Sequence, residues 1–430
     1  MNPTLHTRRK FLRTAVLGGA VSWTVPAFLE RTFFALDAHA ADSAIQTVTG
    51  RDGTILVVLQ LAGGNDGLNT LVPFADDAYH RARPRLGIPA DQTLKITDSL
   101  GLHPALSGLR GLYDAGRLAV VQGVGYPNPN RSHFRSTEIW QTAVDADRIS
   151  TTGWLGRYFD SCCEGADPAV GVSIGGQTPQ AFASTEPKGI SFSRPEQFRF
   201  QAGDAAAEEF FRSMNEPSPD ATDGASIDML QGSAVPQGDT LDFLKRTALD
   251  AQVSSDKVLE ITRKSKAPFS YPGSQISSSL NLVARLIAGG MPTRVYYVSQ
   301  GGYDTHNNQA GSHERLLRDL DGAVSAFLRD LESQGNLDRV TLMTFSEFGR
   351  RVAENGGAGT DHGAAAPLFV AGGAVRPGFY GKMPSLTDLR AGDLVHNVDF
   401  RSVYATILEN WLAAPSQGIL EGKFNKLDFV

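Results

Sequence analysis

Apolar positions fall along this chain in two kinds of run, and their alternation reads as strands and covering helices. Thr54 to Leu61 is a short, nearly continuous apolar stretch bounded by Gly53 and by Gly63 and Gly64. That pattern belongs to a strand buried on both faces of a parallel sheet. Pro104 to Arg117 carries Leu106, Leu109 and Leu112 at helical spacing with a proline just inside the start, and Leu118 to Val124 reads as the next strand. A polar loop from Tyr126 to Arg131 then leads into a helix beginning near Ser132.

The second half repeats this grammar. The pattern predicts a helix over Ser277–Ala288, a strand over Arg294–Ser299, a helix over His313–Gln334, and strands over Arg339–Phe345 and Pro367–Ala371. A closing helix, Phe400–Leu412, places Val403, Ile407 and Trp411 at intervals of four, so one side is buried. Strands that alternate with helices predict an α/β fold with a largely parallel central sheet sandwiched by helices. From about 186 to 272 the pattern fades into a polar stretch with one clear helix, Leu241 to Lys264, and a coil around Asn215 to Gly238. That stretch reads as an insertion or cap within one domain over 41–430.

The first residues change the picture of where the chain works. Arg8 and Arg9 precede Lys10, Phe11 and Leu12, followed by a weakly apolar stretch from Ala15 to Leu29 and by Ala38, His39 and Ala40. Residues 1–40 therefore read as a signal peptide of the twin-arginine kind, cleaved after Ala40. The expectation is export in the folded state by the twin-arginine translocase to the periplasm or cell surface, with no stable membrane span after cleavage. Folded export often accompanies metal loading, which raises the expectation of a metal site. The mildly acidic balance, a formal charge of −6 with mixed signs, argues against nucleic-acid binding and favours a small-molecule or glycan partner. The only two cysteines, Cys162 and Cys163, are adjacent, so no disulfide staples the fold.

In an open α/β sheet the ligand site lies beyond the carboxyl ends of the strands. After the first strand come Asn65 and Asp66; after the second come Asn130, Arg131, Ser132, His133 and Arg135; after the later strands come Asp304 with His306, then Ser346 with Glu347, then Asp361 with His362. Two Gly-framed segments, one holding Asp304 and His306 and one holding Asp361 and His362, combine carboxylate oxygen with imidazole nitrogen, which suits zinc, manganese or iron. Either segment alone reads first as capped turns with hydrogen-bonded histidines; together, at matching sheet ends, they read as a metal site. Ser132 has two readings, helix N-cap or nucleophile beside a metal. Arg131 and Arg135 can hold an anionic ester through their planar donors or lie as solvated charges. Asp66 sits in turn chemistry, Gly63-Gly-Asn-Asp66-Gly, yet follows a buried strand directly. His103, before Pro104, reads as structural.

With these residues in view, the chain resembles the domain of unknown function 1501 family, twin-arginine-exported bacterial proteins similar to the alkaline phosphatase and sulfatase superfamily. The resemblance rests on Gly63 to Thr70, Arg131 to Phe134 with Trp140 and Gln141, Gly302 to His306, Ser346 to Arg350, Gly359 to Gly363, and Asp399 to Arg401. It spans almost the whole of 41–430 and implies an alkaline phosphatase-like sandwich. It also implies Ser132 at the nucleophile position and Asp66, Asp304, His306 and His362 among the metal ligands. The chain departs from the superfamily where an Asp-His pair is usual, because Glu347 and Phe348 stand there and a phenylalanine cannot bind a metal. The serine segment also lacks the proline of the sulfatase formylglycine motif.

The resulting expectation is a metal-dependent hydrolase of phosphate or sulfate esters on a glycan or cell-envelope substrate, with Ser132 as nucleophile, His133 beside it, and Arg131 or Arg135 clamping the anion. Asp66, Asp304, His306, Glu347, Asp361 and His362 form the ligand pool for one divalent ion, zinc, manganese or calcium. The alternative is a non-catalytic envelope protein that keeps the fold to bind polysaccharide or an assembly partner.

Overall fold

The computed structural model describes residues 50, 53–163, 166–185, 189–197, 254–264 and 269–430. The signal segment 1–40, the coil at 215–238 and the start of the helix expected from Leu241 lie outside the described residues; that helix is seen over 254–264.

The strands and helices follow in chain order: β1 (Ile55–Leu61), α1 (Ser107–Asp114), β2 (Leu118–Gly125), α2 (His133–Thr142), α3 (Trp154–Cys162), β3 (Gly171–Ile174) and β4 (Ile190–Phe192). After them come α4 (Gln275–Ala288), β5 (Val295–Gln300), α5 (Gln309–Ser333), β6 (Val340–Phe345), β7 (Arg350–Glu354), β8 (Thr360–His362), β9 (Ala366–Gly372), β10 (Gly378–Tyr380), β11 (Val398–Asp399) and α6 (Phe400–Thr406). Nine strands form one sheet in the order β10-β2-β9-β6-β1-β5-β3-β4, with β11 also pairing β2.

β1 lies between β5 and β6, parallel to both, in the register Leu61 opposite Gln300 and Gln60 opposite Phe345. All seven of its residues are buried, as a strand covered on both faces must be. Ile55, Val57 and Leu59 enter a core with Leu280 and Val283 of α4 and with Leu317 and Leu320 of α5. Leu56 and Val58 enter a second core with Trp140 of α2, Trp154 and Tyr158 of α3, and Tyr404 of α6. The alternation of side chains across β1 thus divides two hydrophobic layers, one on each face.

One strand departs from the parallel expectation. β9 runs antiparallel to both β2 and β6, with Val370 opposite Ala119 and Met343. The connection from β6 holds the small antiparallel hairpin β7–β8 and no crossover helix, and a parallel return needs such a crossover. The closing helix also changes character, passing from α6 into a π-helical turn over Ile407–Trp411, where the Trp411 indole donates to the Ile55 carbonyl at 3.0 Å. Among the described residues no helix is long and apolar enough to cross a membrane.

Because β1, β5 and β6 share a direction, the loops that follow them leave the same edge of the sheet. The chain after β1 turns through Gly63 and Gly64, both at positive φ, of +120° and +75°. A Cβ on Gly63 would lie 2.5 Å from the Asp304 nitrogen, and one on Gly64 would lie 2.3 Å from the Phe348 ring. The two glycines therefore let three loops close on one another at that edge.

Candidate metal centre

His133, Asp304 and His362 offer ligand atoms that all lie within 4.8 Å of one another. His133 opens α2, Asp304 follows β5, and His362 ends β8, so three separate parts of the chain meet at one point. The Asp304 Oδ1 is 3.0 Å from Nε2 of His362 and 3.0 Å from Nε2 of His306, and its Oδ2 is 3.4 Å from Nε2 of His133. Tetrahedral coordination at about 2.1 Å sets neighbouring donors about 3.4 Å apart; the Asp304–His133 separation matches this and the two at 3.0 Å are a few tenths of an ångström shorter.

The other ring nitrogen of each histidine is engaged. Nδ1 of His133 lies 2.8 Å from Glu347 Oε1, Nδ1 of His362 lies 2.8 Å from the Arg131 carbonyl, and Nδ1 of His306 lies 3.4 Å from Asp361 Oδ1. Acceptors on all three Nδ1 atoms place a proton there and turn a bare Nε2 toward the centre, the arrangement that orients metal-binding imidazoles. Two consequences test whether a cation fits. Nε2 of His133 is buried and, despite the nearby Asp304 oxygen, makes no hydrogen bond. Nε2 of His306 and Nε2 of His362 stand 2.9 Å apart, so two lone pairs face each other until a cation or a proton separates them.

Arg350 holds the pocket from behind. Its guanidinium is fully buried and donates to the carbonyls of Gly64 at 2.6 Å, Thr360 at 2.8 Å, Tyr303 at 2.9 Å and Gly63, and to Asp304 Oδ1 at 2.8 Å. One side chain thereby ties together the loops after β1 and β5 and the hairpin. Partial burial opposes ionisation of Asp304, but the hydrogen bond and the charge of Arg350 hold its carboxyl well below the usual carboxylate range. Asn355 donates to Asp361 Oδ1 at 3.1 Å and to the His306 carbonyl at 3.0 Å; with His306 it keeps the Asp361 carboxyl low, against the pull of burial. The Phe348 ring packs against His133 and His362, with centroids 4.9 and 4.6 Å away.

The expected site residues divide accordingly. Asp304, His306 and His362 converge, with Asp361 behind His306 and Glu347 behind His133. His133, expected beside the nucleophile, instead points its imidazole into the cluster. Asp66 is not brought to it: the residue is 1 % exposed, caps the one-turn helix Gly67–Thr70, and pairs with Arg83 at 2.6 Å while accepting from Gln309. Burial opposes its charge, yet Arg83 keeps its carboxyl lowered. Both oxygens are committed to protein donors, so the turn and cap explanation accounts for this aspartate. Ser132 is exposed at the N-cap of α2, with no hydrogen bond from its side chain to the helix. Arg131 pairs with Asp393, and Arg135 pairs with Glu138 at 2.7 Å and donates to the carbonyls of Ala146 and Arg148. Neither arginine contacts the cluster through its side chain. His103 and His313 form a separate buried pair with ring centroids 6.0 Å apart, and burial pushes each down to about 4. Cys162 is half-buried and Cys163 buried, and they are not joined in a disulfide.

The family model described as "Protein of unknown function (DUF1501)" matches residues 54–417. No curated protein matches the chain. Solved structures similar to it include a protein in the alkaline phosphatase superfamily from Vibrio parahaemolyticus, at 10% identity and a TM-score of 0.35, covering 84% of this chain and 71% of that one. The PsFucS1 sulfatase from Pseudoalteromonas sp. gives 11% identity and a TM-score of 0.34 over 87% of this chain and 71% of its own. The phosphonate monoester hydrolase SpPMH from Silicibacter pomeroyi gives 11% and 0.32 over 86% and 75%. At these values the likeness assigns neither activity nor substrate to this chain.

Proposed function

The chain belongs to the DUF1501 family, and on that premise we propose that it is an exported, metal-dependent hydrolase of phosphate or sulfate esters on glycan or cell-envelope substrates. The observation that carries this reading is the convergence of His133, Asp304 and His362, with His306 alongside, at the carboxyl edge of the sheet. Three imidazole nitrogens and one carboxylate suit zinc or manganese better than calcium, which takes oxygen ligands. We take the complement as one ion per chain, since Phe348 offers no ligand.

When bound, such an ion supplies Lewis acidity toward an ester oxygen and stabilises charge in the transition state. The chain's own residues orient that chemistry. Glu347 and the Arg131 carbonyl hold the δ protons of His133 and His362, and Arg350 fixes the Asp304 carboxylate. Ser132, exposed and immediately before His133, is the nucleophile. Its Oγ attacks phosphorus or sulfur, the bond from that atom to the substrate oxygen breaks, and the seryl proton leaves with the alcohol. Water then cleaves the ester on serine and restores the hydroxyl. Arg131 and Arg135, engaged with Asp393 and Glu138, take no part as an anion clamp. The twin-arginine segment accounts for export, with folding and metal loading completed before the membrane is crossed.

The test is metal analysis of protein purified from its native compartment, together with a panel of phosphate and sulfate esters. Stoichiometric metal and hydrolysis of at least one ester class are expected. Metal-free, stable protein that hydrolyses none contradicts the hydrolase and favours a polysaccharide- or partner-binding role.

A further inference from the structure

We infer that Asp393 is a positioning residue for the candidate metal centre: through the Arg131 side chain it fixes the backbone carbonyl that orients His362, an assignment that rests on the metal reading above. The three histidines of the centre differ in what holds them. His133 and His306 present Nδ1 to the carboxylates of Glu347 and Asp361, whereas His362 presents it to the Arg131 carbonyl, at 2.8 Å. A carbonyl is placed only as firmly as the backbone that carries it. Arg131 lies at the end of a stretch of exposed and half-exposed residues, 127–131, in the loop between β2 and α2.

The side chain of the same residue supplies the anchor. Nε of Arg131 donates to Oδ2 of Asp393 at 2.8 Å, and Nη2 donates to the same oxygen. Asp393 belongs to the short antiparallel hairpin of Leu389–Arg390 and Asp393–Leu394, and its side chain is 5 % exposed. Its Oδ1 makes no hydrogen bond, and Nε of Arg351, 3.7 Å away, is also buried without one. Arg351 follows Arg350, whose guanidinium holds Asp304, so the carboxylate stands between the loop that orients His362 and the strand that fixes Asp304. A buried carboxylate with one oxygen unsatisfied is a costly way to hold a hairpin, since an apolar pair would pack without the desolvation penalty. What the ion pair adds is direction. Two donors on one oxygen fix the guanidinium, and with it the backbone from which the carbonyl faces His362.

The experiment titrates the full chain with cobalt(II), reading affinity and the visible absorption of the bound ion, in the wild type, Asp393→Asn, Arg131→Met and the double variant. Each single substitution is expected to weaken binding about tenfold, the lower end for loss of a partner that orients a metal-bound histidine, and to shift the absorption. The two substitutions change the net charge in opposite senses. A long-range field would therefore move affinity in opposite directions, whereas a lost tether moves it in the same one. The double variant is expected to lose no more than either single one. Weaker binding in Asp393→Asn with tighter binding in Arg131→Met overturns the tether, and so do summed losses in the double variant. Wild-type affinity and absorption in Arg131→Met also overturn it; the Arg131 side chain is 37 % exposed, so this variant carries the test if Asp393→Asn does not fold. A wild-type chain that binds no cobalt(II) removes the metal reading and this assignment together.

Discussion

Nδ1 of His133 and Oε1 of Glu347 are 2.8 Å apart, although the two residues are 214 positions apart in the chain. Glu347 is 2 % exposed and its Oε1 also accepts the Gly63 N–H at 2.8 Å, so the carboxylate is anchored before it meets the imidazole. A proton kept on Nδ1 leaves Nε2 free to face Asp304. Glu347→Gln removes the charge and allows an amide N–H to turn toward the ring, so metal affinity is expected to fall about ten- to a hundredfold with the fold retained. Competition titration against a chelator of known affinity measures this; wild-type affinity in the variant would show that Glu347 does not orient His133.

Ser132→Ala separates nucleophile from ligand. Ester hydrolysis is expected to drop by at least about a hundredfold, while metal content stays at the wild-type level because the hydroxyl is not in the cluster. Full activity in this variant would make a water molecule the attacking group.

Asp66 and Arg83 form a buried ion pair with 0 % exposure of either side chain. Arg83→Met leaves a carboxylate buried without its cation and is expected to destabilise the chain by about 3–5 kcal/mol in denaturant unfolding. Asp66→Asn is expected to lose stability yet retain the ion. Loss of the ion with stability intact would return Asp66 to the ligand set.

His103 and His313 are buried, with pKa values pushed down to about 4 from an ordinary 6.5. Between those values the unfolded chain binds protons that the folded chain does not. Stability therefore falls as pH is lowered from about 6.5 to 4, by about 1.4 kcal/mol per pH unit for each histidine at the steepest. Unfolding curves across this window are expected to show the slope, and His313→Gln is expected to reduce it by about half. A flat profile in the wild-type chain would contradict neutral burial of this pair.

The strands of the sheet centre were legible because burial on both faces writes them as continuous apolar runs, and β1, β2, β5 and β6 fall within a residue or so of expectation. Hairpin β7–β8, which carries Arg350 and His362, was not, since its residues are largely polar and a two-stranded ribbon leaves no buried run. β3 and β4 are too short to show a period. At the site, Asp304 with His306 and Asp361 with His362 announced themselves by residue type within Gly-framed loops. The role of Asp66 was not legible, because a turn aspartate and a ligand aspartate look alike and its partner Arg83 lies in a segment without periodic signal. Arg131 and Arg135 could be assigned only once Asp393 and the 146–148 carbonyls were placed beside them. Arg350 sat within a recognised motif, but nothing local marks a guanidinium that caps four carbonyls.

A cation held jointly by His133, Asp304 and His362 is read out by metal stoichiometry, from elemental analysis of the wild-type chain, His133→Ala and Asp304→Ala. One divalent ion per wild-type chain, lost in both variants while their far-ultraviolet circular dichroism is unchanged, is the predicted result. A wild-type chain that binds no divalent ion, or variants that bind it as tightly as the wild type, would contradict it.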